Sequence, residues 1–204
     1  MLQIWLEIFS YFGIDEVLIN IHAHARLVQE FLRKHPHGSK VRVAEETELL
    51  GSAGTLLKNR EWVDSEEFFW VFYADVLNHV DFSAMLRLHQ ARKPAATIGV
   101  YRVPDPNRCG ILDIVEDGTV VGFVEKPARP RGNLAFSGLL LGSQSLLNSI
   151  PHKQPADLGF DVLPQLAGKM IAYPISTYLL DIGTIENYQK AQITWPGFHP
   201  HKEV

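Results

Sequence analysis

The chain has 204 residues, 46% of them hydrophobic and 21% charged, which suits one sizeable α/β core and falls short of two full domains. Its formal charge of -4 argues against a nucleic-acid-binding surface, and no apolar run reaches the length of a membrane span. The lone Cys109 cannot close an internal disulfide and fits a reducing, cytoplasmic compartment.

In chain order, Leu2, Ile4, Leu6, Ile8, Phe9 and Phe12 form a broad apolar stripe at helical spacing, stopped by Gly13 and opening without a visible cap. Glu7 inside that run and the lack of a basic leader speak against a signal peptide. A short strand at 17–20, a helix over 25–34 ending near Pro36, and a strand at 41–44 follow. The loop 45–54 carries Gly51 and Gly54, three apart, where backbone can approach a ligand closely, and leads into a helix expected over 53–63. Residues 82–92 read as an amphipathic helix and 95–103 as a β-branched strand, so helices and strands alternate. That alternation predicts a mostly parallel sheet with helices on both faces.

After Pro104 the character changes. Ile111 to Val115, the turn Glu116-Asp117-Gly118 and Val120 to Val124 predict a β-hairpin, ended by Glu125-Lys126-Pro127. A strand at 134–141, helices at 144–150 and 160–167, a strand at 171–176, a turn at 181–184 and a helix at 185–193 complete the domain, taken as residues 1–194. Residues 195–204, with His199 and His201, read as a loosely held tail.

The stretch Phe68-Phe69-Trp70-Val71-Phe72-Tyr73 is apolar without alternation and leads to Asp75. Such a run suits a strand covered on both faces, and in open α/β sheets the ligand crevice lies beyond the carboxyl ends of strands. Asp75 is therefore either a cap for the next turn or a carboxylate delivered to a metal or polar substrate.

Five further landmarks accompany Tyr73-Ala74-Asp75-Val76-Leu77 in fixed order: Leu50-Gly51-Ser52-Ala53-Gly54 before it, then Gly110, Phe123-Val124-Glu125-Lys126-Pro127, Ser137-Gly138 and Asp181-Ile182-Gly183-Thr184. The series resembles the sugar-1-phosphate nucleotidyltransferases, or nucleotide-sugar pyrophosphorylases, and among them most the mannose-1-phosphate guanylyltransferase branch. It runs from Leu2 to about Gln192. The resemblance implies a Rossmann-like three-layer α/β/α domain of the nucleotide-diphospho-sugar transferase type, with a mixed, mostly parallel central sheet. It implies transfer of a nucleotidyl group from a nucleoside triphosphate to a sugar 1-phosphate, releasing pyrophosphate, with Mg²⁺ as cofactor. Both reactants are anions, so charge neutralisation and positioning dominate such chemistry.

Residue by residue, the resemblance assigns Asp75 and Asp181 to the metal, with Asp75 and Lys126 in the catalytic group; Lys126 meets the sugar phosphate and Glu125 accepts from sugar hydroxyls. Gly51 and Gly54 lie along the nucleotide with Glu46 upstream in the same loop, Gly110 contacts the sugar through its backbone, and Asn133 and Gly138 stand at the polar sugar-binding segment. Asp161 matches an acidic position of the family, although a carboxylate opening a helix explains it equally well. His22 and His24, alternate on an extended chain, can in principle share a metal; with no third ligand nearby they read as a polar strand end.

In this resemblance Met1 falls after the family's first strand, its glycine-rich loop with an arginine, and a Pro-Lys-Pro segment. The expectation is a domain missing its first strand, with weak or no transferase activity alone and an exposed sheet seam that makes room for a homo-oligomer. A non-catalytic subunit that binds a sugar phosphate or nucleotide-sugar is the alternative. A dinucleotide-dependent oxidoreductase is disfavoured, because no Gly-x-Gly-x-x-Gly follows a strand.

Overall fold

A computed structural model describes residues 1–198; His199 and His201, with the rest of the tail, lie outside the described residues. The elements in chain order are α1 (Leu2–Tyr11), β1 (Val17–Ile21), α2 (Ala25–Lys34), β2 (Val41–Glu45), α3 (Ser52–Lys58), β3 (Phe68–Phe72), β4 (Val76–Asn78), α4 (Phe82–Arg92), β5 (Ala96–Arg102), β6 (Gly110–Ile114), β7 (Thr119–Glu125), β8 (Leu134–Ser143), α5 (Gln144–Asn148), β9 (Met170–Pro174), β10 (Leu179–Asp181) and α6 (Ile185–Thr194). The chain divides into two compact units, residues 1–49 with 180–204, and residues 50–179.

The first unit contains α1, whose Trp5, Leu6, Ile8 and Phe9 are buried, and which ends where Gly13 takes a positive φ of 68° that a side chain would resist. Its strands β1 and β2 pair in parallel, Val17 opposite Val41 through Ile21 opposite Glu45, with α2 as the connecting helix. Helix α6 is capped by Thr184, whose hydroxyl accepts the Asn187 N–H. The Phe198 ring meets Tyr11 edge-on, the centroids 5.5 Å apart.

The second unit is built on a six-stranded sheet ordered β3-β8-β5-β9-β7-β6, with an extra contact between β8 and β6. The sheet is mixed, as expected, but its parallel majority is not found. Only β5 and β9 run parallel in it; β3 with β8, β8 with β5, β9 with β7 and β7 with β6 are all antiparallel. The reason lies in the connections: β6 and β7 are joined by the tight turn at Gly118 (φ 83°), and such hairpins can only produce antiparallel neighbours.

Strand β3 sits at one edge of this sheet. Its want of alternation has a direct cause. Phe69 and Val71 pack into the main core, whereas Trp70 and Phe72 meet Phe82 of α4 on the other face, with ring centroids 5.5 and 5.7 Å away. Phe68 lies on that same face, against His89. The core itself gathers Ile98, Leu140, Leu146, Leu158, Leu163 and Met170, all fully buried. The expected helix over 160–167 is instead a wide turn, Leu158–Val162, followed by one turn of 3-10 helix, Leu163–Leu166, where Pro164 removes a donor.

Candidate functional site

The site in the second unit starts from three backbone devices. The first is the loop before α3. Gly51 has φ 78° and ψ 162°, and a Cβ built on it would stand 2.3 Å from the Ala156 carbonyl oxygen. Ala53 and Gly54 both donate their N–H to that same oxygen at 3.0 Å, and the Ala156 N–H returns a bond to the Leu50 carbonyl at 2.9 Å. The predicted glycine loop is therefore fastened to the segment around Ala156. Gly51 lacks a side chain because another stretch of backbone lies on it, whereas a Cβ on Gly54 would stand 3.1 Å from that of Leu50 and 3.6 Å from the Ala156 nitrogen.

The second is a bulge in β8. Ile98 of β5 faces Leu140 while Val100 faces Phe136, so β8 takes two extra residues around Gly138, which has φ 76°. The Tyr73 N–H donates to the Gly138 carbonyl at 2.8 Å, and a Cβ on Gly138 would stand 2.9 Å from that of Tyr73. This bond ends β3 and sets the turn Tyr73–Asp75, closed by the Val76 N–H on the Tyr73 carbonyl at 3.1 Å. Asp75 is exposed on this turn, three residues beyond the strand rather than at its end.

The third device is at the end of β7. Neighbours on an extended chain point to opposite sides, so Glu125 and Lys126 need a change of backbone to share a site. Lys126 supplies it with φ 46°, a left-handed conformation rare for a residue with a side chain, held by its N–H on the Cys109 carbonyl at 3.0 Å. Its ammonium lies 4.0 Å from Glu125 Oε1 and 5.9 Å from the centre of the Phe160 ring.

Glu125 is seated between two glycines. A Cβ on Gly110 would lie 2.6 Å from Glu125 Oε2, and one on Gly159 would lie 2.5 Å from the same oxygen. Burial pushes the Glu125 carboxyl above its ordinary value; Lys126 pulls it back and Asp157 adds to the rise. A half-buried carboxylate beside an exposed ammonium is suited to hold hydroxyls on one side and an anion on the other.

Asp157 was not among the residues singled out from the sequence, yet it organises this region. Its Oδ1 accepts from the Gly159 and Phe160 N–H groups at 2.8 and 3.1 Å, and its Oδ2 from the Ser52 hydroxyl at 2.9 Å. Ser52 Oγ in turn accepts the Leu158 N–H at 2.8 Å. The legible signal was an Asp immediately before an apolar run, the pattern of a cap. Asp161 turns its carboxylate inward to structure, accepting the Asp157 N–H at 2.9 Å and pairing with Lys153 at 2.6 Å, which holds it below the usual carboxylate range. Tyr73 packs into the same cluster; burial first, then Asp157, Glu125 and Asp75, raise its phenol to about 12, against a hydrogen bond with Ser52.

Asn133 is placed differently from these. Its Oδ1 accepts from Arg102 at 2.8 Å, and the antiparallel register of Ile111 with Ala135 sets Phe136, not Asn133, across from Gly110. Phe136 packs edge-on against Tyr73 at 5.8 Å.

The remaining residues belong to the first unit. The Glu46 side chain is buried; its N–H donates to the Ile21 carbonyl at 2.8 Å, and its own carbonyl accepts from His22 Nδ1 at 2.7 Å. In that bond the hydrogen is carried by Nδ1 of His22, because the carbonyl oxygen can only accept. His24 takes φ 57° at the start of α2. Asp181 is exposed, with Oδ1 accepting the Gly183 N–H at 2.7 Å. Among the described residues no group of three or more His, Cys, Asp or Glu side chains is gathered for a metal ion, and no helix is long and apolar enough to cross a membrane.

The second unit is thus a mixed sheet with glycine-lined, charged loops at its strand ends, and comparison with known proteins gives the class. The chain belongs to the nucleotidyl transferase family, whose model matches residues 1–195. The glucose-1-phosphate adenylyltransferase of Clostridium botulinum (strain Eklund 17B / Type B) is 32% identical over 156 residues, covering 70% of this chain and 40% of that protein. The protein named Probable mannose-1-phosphate guanylyltransferase 2 of Oryza sativa subsp. japonica is 31% identical over 190 residues, covering 90% of this chain and 52% of its own length. The chain thus spans about half the length, or less, of the curated relatives it matches. In fold it is similar to the crystal structure of HddC from Yersinia pseudotuberculosis, with a TM-score of 0.76, 24% identity, and coverage of 94% of this chain and 84% of that one.

Proposed function

We propose that the chain is part of a sugar-1-phosphate nucleotidyltransferase. In that reaction an oxygen of the sugar phosphate attacks the α-phosphorus of a nucleoside triphosphate, the bond to the β-phosphate breaks, and pyrophosphate leaves. The observation that carries the reading is Glu125 and Lys126 brought side by side by a left-handed backbone, over the glycine floor of Gly110 and Gly159. Lys126 holds the sugar phosphate and offsets its charge as the two anions approach. Glu125 accepts from the sugar hydroxyls, and Gly110 lets the ring lie close. Gly138 is assigned to the rim of the sugar side, and Gly51 and Gly54 to the nucleotide side; Asn133, whose amide oxygen is taken by Arg102, is not carried into the site.

Asp75, on a turn of the second unit, and Asp181, on a turn of the first, are each an exposed carboxylate offering the hard oxygen donors that Mg²⁺ takes, and each is assigned to the metal by the resemblance. When bound, Mg²⁺ supplies positive charge to both phosphate groups. Mannose 1-phosphate and a guanine nucleotide are the favoured pair, because the relative of that name aligns with more of this chain than the adenylyltransferase does. A cytoplasmic location agrees with the lone Cys109.

The test is pyrophosphate release from each nucleoside triphosphate with mannose or glucose 1-phosphate and Mg²⁺, using the chain and its full-length parent if it has one. Lys126→Ala and Asp75→Asn should each lower kcat/KM by about 100-fold or more, the scale of removing one group that stabilises a charged transition state. Turnover by either variant within threefold of the parent would overturn the assignment.

A further inference from the structure

Phe160 is a large apolar side chain that the fold leaves 58% exposed, although the segment carrying it is tightly fixed. Its backbone N–H is held by Asp157, the preceding Gly159 lies against Glu125, and the Lys126 ammonium stands over its ring at 5.9 Å. That distance is at the outer reach of a cation–π contact, so the ring is not consumed by holding the lysine. Nor does the ring complete a core: the core residues of this turn are Leu158 and Val162, both fully buried.

We propose that Phe160 is a specificity-determining residue, a platform that stacks against the C–H face of the pyranose of a hexose 1-phosphate. This role rests on the reading of Glu125 and Lys126 given above. Chemistry is matched group by group within a single cluster. A glycosyl phosphate presents an anion, a rim of hydroxyls and an apolar ring face; Lys126, Glu125 and Phe160 present a cation, an acceptor and an aromatic face. Inorganic phosphate offers only the first of these, and a free sugar only the other two. Asp157, by fixing the Gly159 and Phe160 N–H groups, sets the platform's height relative to Glu125.

The test is calorimetric titration of the whole chain with glucose 1-phosphate, mannose 1-phosphate and inorganic phosphate, in Phe160→Ala, Phe160→Trp and Lys126→Ala, with thermal melts to confirm folding. Phe160→Ala should weaken hexose 1-phosphate binding about tenfold and leave phosphate binding within twofold, while Phe160→Trp retains both. Lys126→Ala should weaken all three ligands. Unchanged hexose phosphate affinity in Phe160→Ala, alongside a loss in Lys126→Ala, overturns the platform and leaves the Lys126 reading standing. An equal loss for phosphate and hexose phosphate in Phe160→Ala shows that the ring only holds the lysine and also overturns it. Failure of Lys126→Ala to alter any affinity, or no binding by the unaltered chain, removes the underlying reading and the platform with it.

Discussion

Two titratable residues screened from solvent make opposite demands on pH. Tyr73 is held neutral up to about 12, chiefly by burial, so its folded value lies above the ordinary 10.0. For a phenol so raised, stability is intact below pH 10 and is lost as pH rises from 10 toward 12, since the unfolded chain ionises first. At pH 11 that loss is about 1 kcal/mol, and Tyr73→Phe should remove it, read as a shallower fall of the urea midpoint between pH 9 and 11; the remaining slope includes Tyr173, whose phenol burial also raises. His89 behaves in the reverse sense. It is buried on α4 with Nδ1 2.9 Å from the Thr97 hydroxyl, and burial lowers its imidazole below 6.5. Stability is then lost as pH falls through 6.5, because the unfolded chain takes the proton while the folded chain resists it. His89→Gln should show a shallower fall of the urea midpoint between pH 7 and 5; an identical slope would contradict the account.

Among elements, the most consequential is the pair of loops welded through Ala156 and Asp157. Gly51 carries both a conformation open to glycine alone and a carbonyl oxygen where its Cβ would go, so Gly51→Ala must move one loop or the other. It should cost about 3 kcal/mol or more, whereas Gly132→Ala, with nothing within 4 Å of its Cβ, should change the urea midpoint little. Asp157→Ala frees two N–H groups and the Ser52 hydroxyl at once and should cost about 2–4 kcal/mol, measured the same way. These welds explain what the sequence could and could not announce. Gly51 and Gly54 were legible as places where backbone approaches closely, because their spacing survives in one dimension, whereas Gly110 and Gly138 entered only through the resemblance. The partners that impose the need, Ala156 on Gly51 and Tyr73 on Gly138, stand 105 and 65 positions away, and no local pattern reports them. Lys126 shows the same limit: the Glu-Lys-Pro string was evident, but its left-handed backbone depends on Cys109, which reaches it only through the β6–β7 pairing.

At the scale of the molecule, most helices, the β6–β7 hairpin and the longer strands were readable because each is fixed by local periodicity and turn chemistry; the segment 160–167, the end of α3 and the short strands β4 and β10 were not. Strand order was not. Strand β9 lies between β5 and β7, and β8 between β3 and β5, placements set by long-range burial rather than by neighbours in sequence. Leu140 is where that burial is most concentrated: it faces Val71 of β3 on one side and Ile98 of β5 on the other, and it is fully buried. Cutting its side chain back to a methyl group removes apolar contact at the junction of three strands and leaves a void that backbone hydrogen bonds on both sides keep from collapsing. Leu140→Ala should therefore cost about 3–5 kcal/mol, the upper part of the range for buried leucines, whereas Leu27→Ala, 64% exposed on α2, should cost under about 1 kcal/mol. Urea unfolding followed by tryptophan fluorescence reads both, Trp70 of β3 reporting on the sheet. A loss below about 1.5 kcal/mol for Leu140→Ala would mean that β3 and β8 can close over the gap, and that the edge of this sheet is more yielding than its pairing implies.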